Sequence, residues 1–218
     1  MSVNSTGLTA LRCNATCPRM NKIRTVCVYC GSGPGTNPRF IEAARDFGKI
    51  LAESGIDLVY GGGALGLMGA VAASVIDHGG NTIGIIPEFL ATRERINQNV
   101  SELIVTTTMH ERKQIMFERA DAFVALPGGI GTLEELVEQL TWAQLARHQK
   151  PIVILNIDDF WSPLLELFEH LRSAGFIHSE SEFRYSVASK VHEIMPSIQA
   201  ALQSRRPEIA ASANVKRL

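Results

Sequence analysis

Five short apolar runs constrain the architecture most: Val26-Cys-Val28, Leu58-Val-Tyr60, Ile83-Gly-Ile-Ile86, Phe123-Val-Ala-Leu126 and Ile152-Val-Ile-Leu155. Each is continuous, without the in–out alternation of a sheet that has one wet face. Strands read this way when helices cover both faces, as in a parallel sheet. Amphipathic stretches of helical length separate the runs. The pattern predicts strands at 24–30, 57–60, 82–86, 102–106, 122–126 and 151–155, with a weak last one near 183–187. Helices are expected at 38–53, 66–78, 110–120, 132–147, 160–174 and 189–202. The fold class that follows is α/β: one Rossmann-like, doubly wound parallel sheet with helices on both faces.

A chain of 218 residues suits one sizeable core better than two domains. Residues 1–22 have no periodicity and no acidic residue, and 204–218 look similar. The expected organisation is a disordered extension at 1–22, a catalytic domain at 23–203 and a flexible tail at 204–218. A transit peptide is the other reading of the first segment. The net charge of -1 offers no attraction for nucleic acid or an anionic membrane, so neither is expected as a partner.

Cys13, Cys17, Cys27 and Cys30 have C-x3-C and C-x2-C spacing. Cys27 and Cys30 fall within an apolar strand, where side chains alternate between faces, so buried free thiols are expected rather than a metal or disulfide. A cytoplasmic location fits that usage. The six histidines lack metal-ligand spacing, and no metal site is assigned.

In doubly wound sheets, ligands bind beyond the carboxyl ends of the strands. Three glycine-rich turns fall at that edge: Gly31-Ser-Gly-Pro-Gly35, Gly61-Gly-Gly63 continuing to Gly66 and Gly69, and Pro127-Gly-Gly-Ile-Gly-Thr132. Glycine lets backbone approach a ligand, and helix N-termini present unpaired N–H groups to anions. No Lys-Ser/Thr follows to make a Walker loop, and the spacing is wrong for a dinucleotide fingerprint. A nucleotide or sugar phosphate fits better than ATP hydrolysis or NAD chemistry.

The third turn predicts a helix from Thr132 whose first turn carries Glu134 and Glu135. Those acids would repel a phosphate, so they are expected to face sugar hydroxyls or a reacting carbon. Leu133, Leu136, Val137 and Leu140 would form its core face, with Thr141 on the stripe of Glu134. In Met109-His-Glu-Arg-Lys113, two cations near a helix start oppose its dipole. Arg112 is expected to have a ligand role, whereas Lys113 alone reads as solvated beside Glu111 and Glu118. Arg119 is expected in a structural ion pair. Glu94 lies in a charged loop that suits solvation or ligand contact, and His110 is a packing residue or a neighbour of the site.

Pro127-Gly-Gly-Ile-Gly-Thr-Leu-Glu-Glu135 fits the pattern PGGxGTxxE, and Met109-His-Glu-Arg-Lys113 fits MHxRK. With Val26-Cys-Val-Tyr-Cys-Gly-Ser32, Val59-Tyr-Gly-Gly-Gly63 and Leu140-Thr-Trp-Ala-Gln144, the chain over 24–202 resembles the Lonely guy family of cytokinin riboside 5'-monophosphate phosphoribohydrolases. The resemblance implies hydrolysis of the N-glycosidic bond of adenine-type nucleoside 5'-monophosphates such as AMP, without a cofactor and usually in a homodimer. It implies Arg112 and Glu135 as the catalytic pair. Glu94, Arg112, Lys113, Gly128, Gly129, Ile130, Gly131, Thr132, Leu133, Glu134 and Thr141 would line the nucleotide pocket. Gly31, Ser32, Gly62 and Gly63 join them from the other glycine turns. The alternative is a non-catalytic nucleotide or molybdenum-cofactor binding protein of the same fold. A lysine decarboxylase, the label of many relatives, is disfavoured because nothing resembles a pyridoxal-phosphate lysine site.

Overall fold

A computed structural model of the chain describes residues 23–91, 96–177 and 184–204. Seven strands form one sheet in the order β4-β3-β2-β1-β5-β6-β7, and every neighbouring pair is parallel. They are β1 Thr25–Tyr29, β2 Asp57–Tyr60, β3 Thr82–Pro87, β4 Glu102–Thr106, β5 Ala122–Ala125, β6 Ile152–Leu155 and β7 Ser186–Ala188. The helices are α1 Pro38–Glu53, α2 Gly66–Asp77, α3 Glu88–Ala91, α4 Met109–Arg119, α5 Ile130–Gln144, α6 Ser162–Ser173 and α7 Ile194–Gln203. The expected doubly wound sheet is present.

The continuous runs follow from burial on both faces. Val26 and Val28 of β1 join Leu58, Tyr60, Phe47, Leu51 and Val71 in one core cluster. Cys27 and Tyr29 point the other way, joining Val59, Phe123, Met116, Leu136 and Leu140. Cys27 and Cys30 are buried free thiols in opposite layers, as the strand reading expects, and burial pushes both thiols up in pKa. Local signals set helix starts too. Pro38 opens α1 directly after Asn37, whose side chain accepts from Arg39 N.

Several boundaries differ from expectation. The four-residue α3 had no sequence signal, being shorter than one amphipathic period. The expected 160–174 helix begins at Ser162, after a 3-10 turn at Ile157–Asp159. The last helix splits into a 3-10 turn at Val191–Glu193 followed by α7. Most important, α5 begins at Ile130 rather than Thr132, with Gly129 as its N-cap. Glu134 and Glu135 therefore lie in its second turn, which weakens the conflict between acids and phosphate.

The winding reverses beside β1, which pairs with β2 on one side and β5 on the other. A crevice opens where such connections part to opposite faces, and here it lies between the carboxyl ends of β1 and β5. The turns at Gly31 and Pro127 sit on it. Residues 1–22, 92–95, 178–183 and 205–218 lie outside the described residues, and with them Glu94, Cys13 and Cys17.

Candidate active site

Two glycine turns meet at the crevice. Gly31 N donates to the Pro127 carbonyl at 3.0 Å, and the Gly31 carbonyl accepts from Leu67 N and Met68 N of α2 at 3.0 and 3.2 Å. The turns pack too closely for side chains. A Cβ on Gly128 would lie 2.1 Å from Thr132 Oγ1 and 2.8 Å from Gly31 N. Gly66 has a φ of +60°, and a Cβ there would lie 2.4 Å from the Ser32 carbonyl. Gly129, Ile130 and Gly131 are exposed, and no side chain caps the start of α5. Exposed N–H groups at an uncapped helix start can take an anion.

Glu135 lies five residues beyond Ile130, roughly 8 Å along the helix axis. It is buried, as is Arg112, and Arg112 Nη2 lies 3.3 Å from Glu135 Oε1. Arg112 Nε donates to the Ile85 carbonyl at 3.1 Å. Burial pushes the Glu135 carboxyl up to about 7, opposed by the Arg112 cation and reinforced by Glu134. A carboxyl that titrates near neutrality suits proton transfer.

Lys113 contradicts the expectation of a solvated cation. It is buried, and its ammonium contacts both Glu134 and Glu138, the latter at 2.9 Å. It therefore pins α4 against α5. Glu111 does not neutralise it: its carboxylate accepts from Thr107 N at 2.8 Å, while Thr108 Oγ1 accepts from Glu111 N at 3.1 Å. The Thr108 side chain thus caps the start of α4, and Glu111 ties it to the preceding residue. Because α4 starts at Met109, Arg112 and Lys113 fall in its second turn, which relieves the conflict with the dipole. Glu118 accepts from Gln114. Arg119 forms the expected ion pair, with Glu102 at 2.9 Å. His110 is exposed.

The other expected pocket residues divide. Gly31, Ser32, Gly128, Gly129, Ile130, Gly131 and Thr132 cluster at the crevice. Gly62 and Gly63 are buried and stitched into the fold: the Gly62 carbonyl accepts from Asn97 N, and Gly63 bridges to Ile96. Leu133 packs on the core. Thr141 is exposed, towards the far end of α5. It sits about 16 Å along α5 from Ile130, and its hydroxyl donates to the Val137 carbonyl. Val137, expected in the core, is 39% exposed and leaves the buried face to Glu135, Leu136, Gln139 and Leu140.

Sequence reasoning missed a tie between the segments that follow β1 and β6. Asp158, in the loop after β6, accepts from Asn37 Nδ2 at 2.8 Å and pairs with Arg39. Asp158 and the adjacent Asp159 have left-handed backbone, with φ of 49° and 57°. No local pattern announces this, because the partners are over a hundred residues apart.

Fold and crevice define a Rossmann-like protein with an uncapped helix start above a buried carboxyl–guanidinium pair. A family model described as "Possible lysine decarboxylase" matches residues 68–198. The chain is 50% identical over 163 residues to the cytokinin riboside 5'-monophosphate phosphoribohydrolase LOG of Oryza sativa subsp. japonica, covering 75% of this chain and 67% of that protein. It is 46% identical over 159 residues to the cytokinin riboside 5'-monophosphate phosphoribohydrolase LOG2 of Arabidopsis thaliana, covering 73% of this chain and 75% of that protein. Among solved structures it is similar to the molybdenum cofactor carrier protein of Chlamydomonas reinhardtii, with a TM-score of 0.61, 27% identity and coverage of 84% and 100%. The chain belongs to the Lonely guy family of cytokinin riboside 5'-monophosphate phosphoribohydrolases, and with it to the N-glycosyl hydrolases.

Proposed function

We propose that this chain hydrolyses the N-glycosidic bond of adenine-type nucleoside 5'-monophosphates, releasing free base and ribose 5-phosphate. The observation that carries this reading is the buried Arg112–Glu135 pair below the uncapped start of α5. The 5'-phosphate docks on the N–H groups of Gly129, Ile130 and Gly131, leaving the sugar facing Glu135. The carboxylate stabilises the oxocarbenium-like transition state and takes a proton from the attacking water. Water oxygen bonds to the anomeric carbon as the bond to the base nitrogen breaks, and the base leaves with the bonding electrons and gains a proton. Arg112 acts on Glu135 rather than on the phosphate, because two of its three nitrogens already contact Glu135 and Ile85.

A homodimer accompanies this reading. Ile130 and Val137 of α5 and Leu145 at its C-cap are exposed, at spacings of seven and eight residues. Light scattering that finds only monomer counts against it. A cytoplasmic, reducing location suits the two buried free thiols.

Base release followed by chromatography with AMP and isopentenyladenosine monophosphate tests the function. Free base and ribose 5-phosphate in equal amounts are expected. Nucleotide that binds tightly and is recovered intact would instead favour a carrier of the kind named among the solved structures.

A further inference from the structure

The second glycine turn is the motif that the phosphate site leaves unexplained. Gly62 makes the turn, with a φ of +79° and close packing against Ile86. Gly61 does not: its φ is outside the left-handed region, so a larger residue could adopt its backbone. Its requirement is spatial. A Cβ on Gly61 would lie 2.3 Å from Arg112 Nη2, 3.4 Å from Arg112 Cζ and 2.9 Å from Met68 Sδ. The guanidinium thus lies directly against the Gly61 backbone. The same Nη2 also lies 3.3 Å from Glu135 Oε1.

We infer that Gly61 is a positioning residue for the reaction, whose missing side chain forms the seat that holds the Arg112 guanidinium against Glu135. The clashing atoms are the far ends of flexible side chains, not backbone. A methyl group here therefore displaces Arg112 while the fold closes around it. This inference rests on Arg112 and Glu135 being the reacting pair, and its test is built to separate the two.

Gly61→Ala is compared with wild type, alone and in an Arg112→Ala background, by base release and by carbon-13 NMR titration of the Glu135 carboxyl. The charged and titratable groups around that carboxyl are Arg112 and Lys113 from α4, Glu134 and Glu138 on its own helix, Cys27 and Tyr29 from β1, and Cys30 just after it. Of these, Gly61→Ala touches only Arg112. The expected result is a folded protein with kcat lowered on the order of a hundredfold, as for an ångström-scale misplacement. KM should change far less, and the Glu135 midpoint should move up because its opposing cation has moved away. In the Arg112→Ala background, Gly61→Ala should change neither quantity.

Wild-type kcat and midpoint in Gly61→Ala, or the same loss with Arg112 already removed, overturn the inference. So does a Gly61→Ala chain that fails to fold, since turn geometry would then explain the glycine. A wild-type protein that releases no base defeats the hydrolase reading, yet the titration still reports whether Gly61 seats Arg112.

Discussion

Arg112 and Glu135 meet at 3.3 Å with each side chain a tenth exposed or less, although they belong to different helices. The pair is close without satisfying the acid: burial outweighs the neighbouring cation, so the carboxyl rises to about 7. A site built this way holds its base near the pH at which it works, and folding bears the cost.

That cost predicts a stability effect. Between pH 4.5 and about 7, folded Glu135 keeps a proton that the unfolded chain has released. Stability contributed by this group is therefore present at low pH and falls as pH rises through that window, by on the order of 3 kcal/mol at its alkaline end. Glu135→Gln mimics the protonated form and escapes the loss. Its thermal midpoint should exceed wild type by several degrees at pH 8 and converge with it near pH 4.5. Calorimetry at the two pH values checks this. The same variant should lose turnover by at least about a hundredfold.

The catalytic pH dependence follows from the same group. If the ionised carboxylate is the working form, kcat/KM should climb about tenfold per pH unit below a midpoint near 7 and level off above it. A profile that instead falls through that midpoint would assign Glu135 the role of an acid.

Gly128→Ala tests the meeting of the two turns. The added methyl would lie 2.1 Å from Thr132 Oγ1, 2.6 Å from Thr132 Cβ and 2.8 Å from Gly31 N. The last of these is backbone, so the start of α5 must move away from Gly31. A loss of about 1–3 kcal/mol is expected in urea titration, as for overpacking elsewhere. With the 5'-phosphate docked on those N–H groups as proposed, KM should rise more than kcat falls.

Gln139 is fully buried, and neither atom of its side-chain amide has a protein hydrogen-bond partner among the described residues. Replacing it with Leu removes that unsatisfied polar group at nearly constant volume, and a gain of about 1 kcal/mol is expected. Chemical denaturation reads this directly; a destabilised Leu variant would show that the amide is satisfied in solution.

The sheet, its parallel sense, the crevice edge and the glycine turns were all legible from local pattern. Period, apolar continuity and turn chemistry are properties of neighbouring residues. Lys113 was misread for the complementary reason. Its partners Glu134 and Glu138 lie on another helix, and a charge near a helix start looks solvated until that helix is packed. Val137, expected in the core, turns outward once α5 docks, while Gln139 is fully buried.

By itself, then, the sequence determined the doubly wound scaffold and which segments leave it at the ligand edge. Only the tertiary structure decided that Arg112 Nη2 lies against both Gly61 and Glu135, that Lys113 ties two helices together, and that Val137 turns outward. The physical reason is range. Secondary structure follows contacts a few residues apart, whereas charge pairing and side-chain seats depend on how elements far apart in the chain settle against one another.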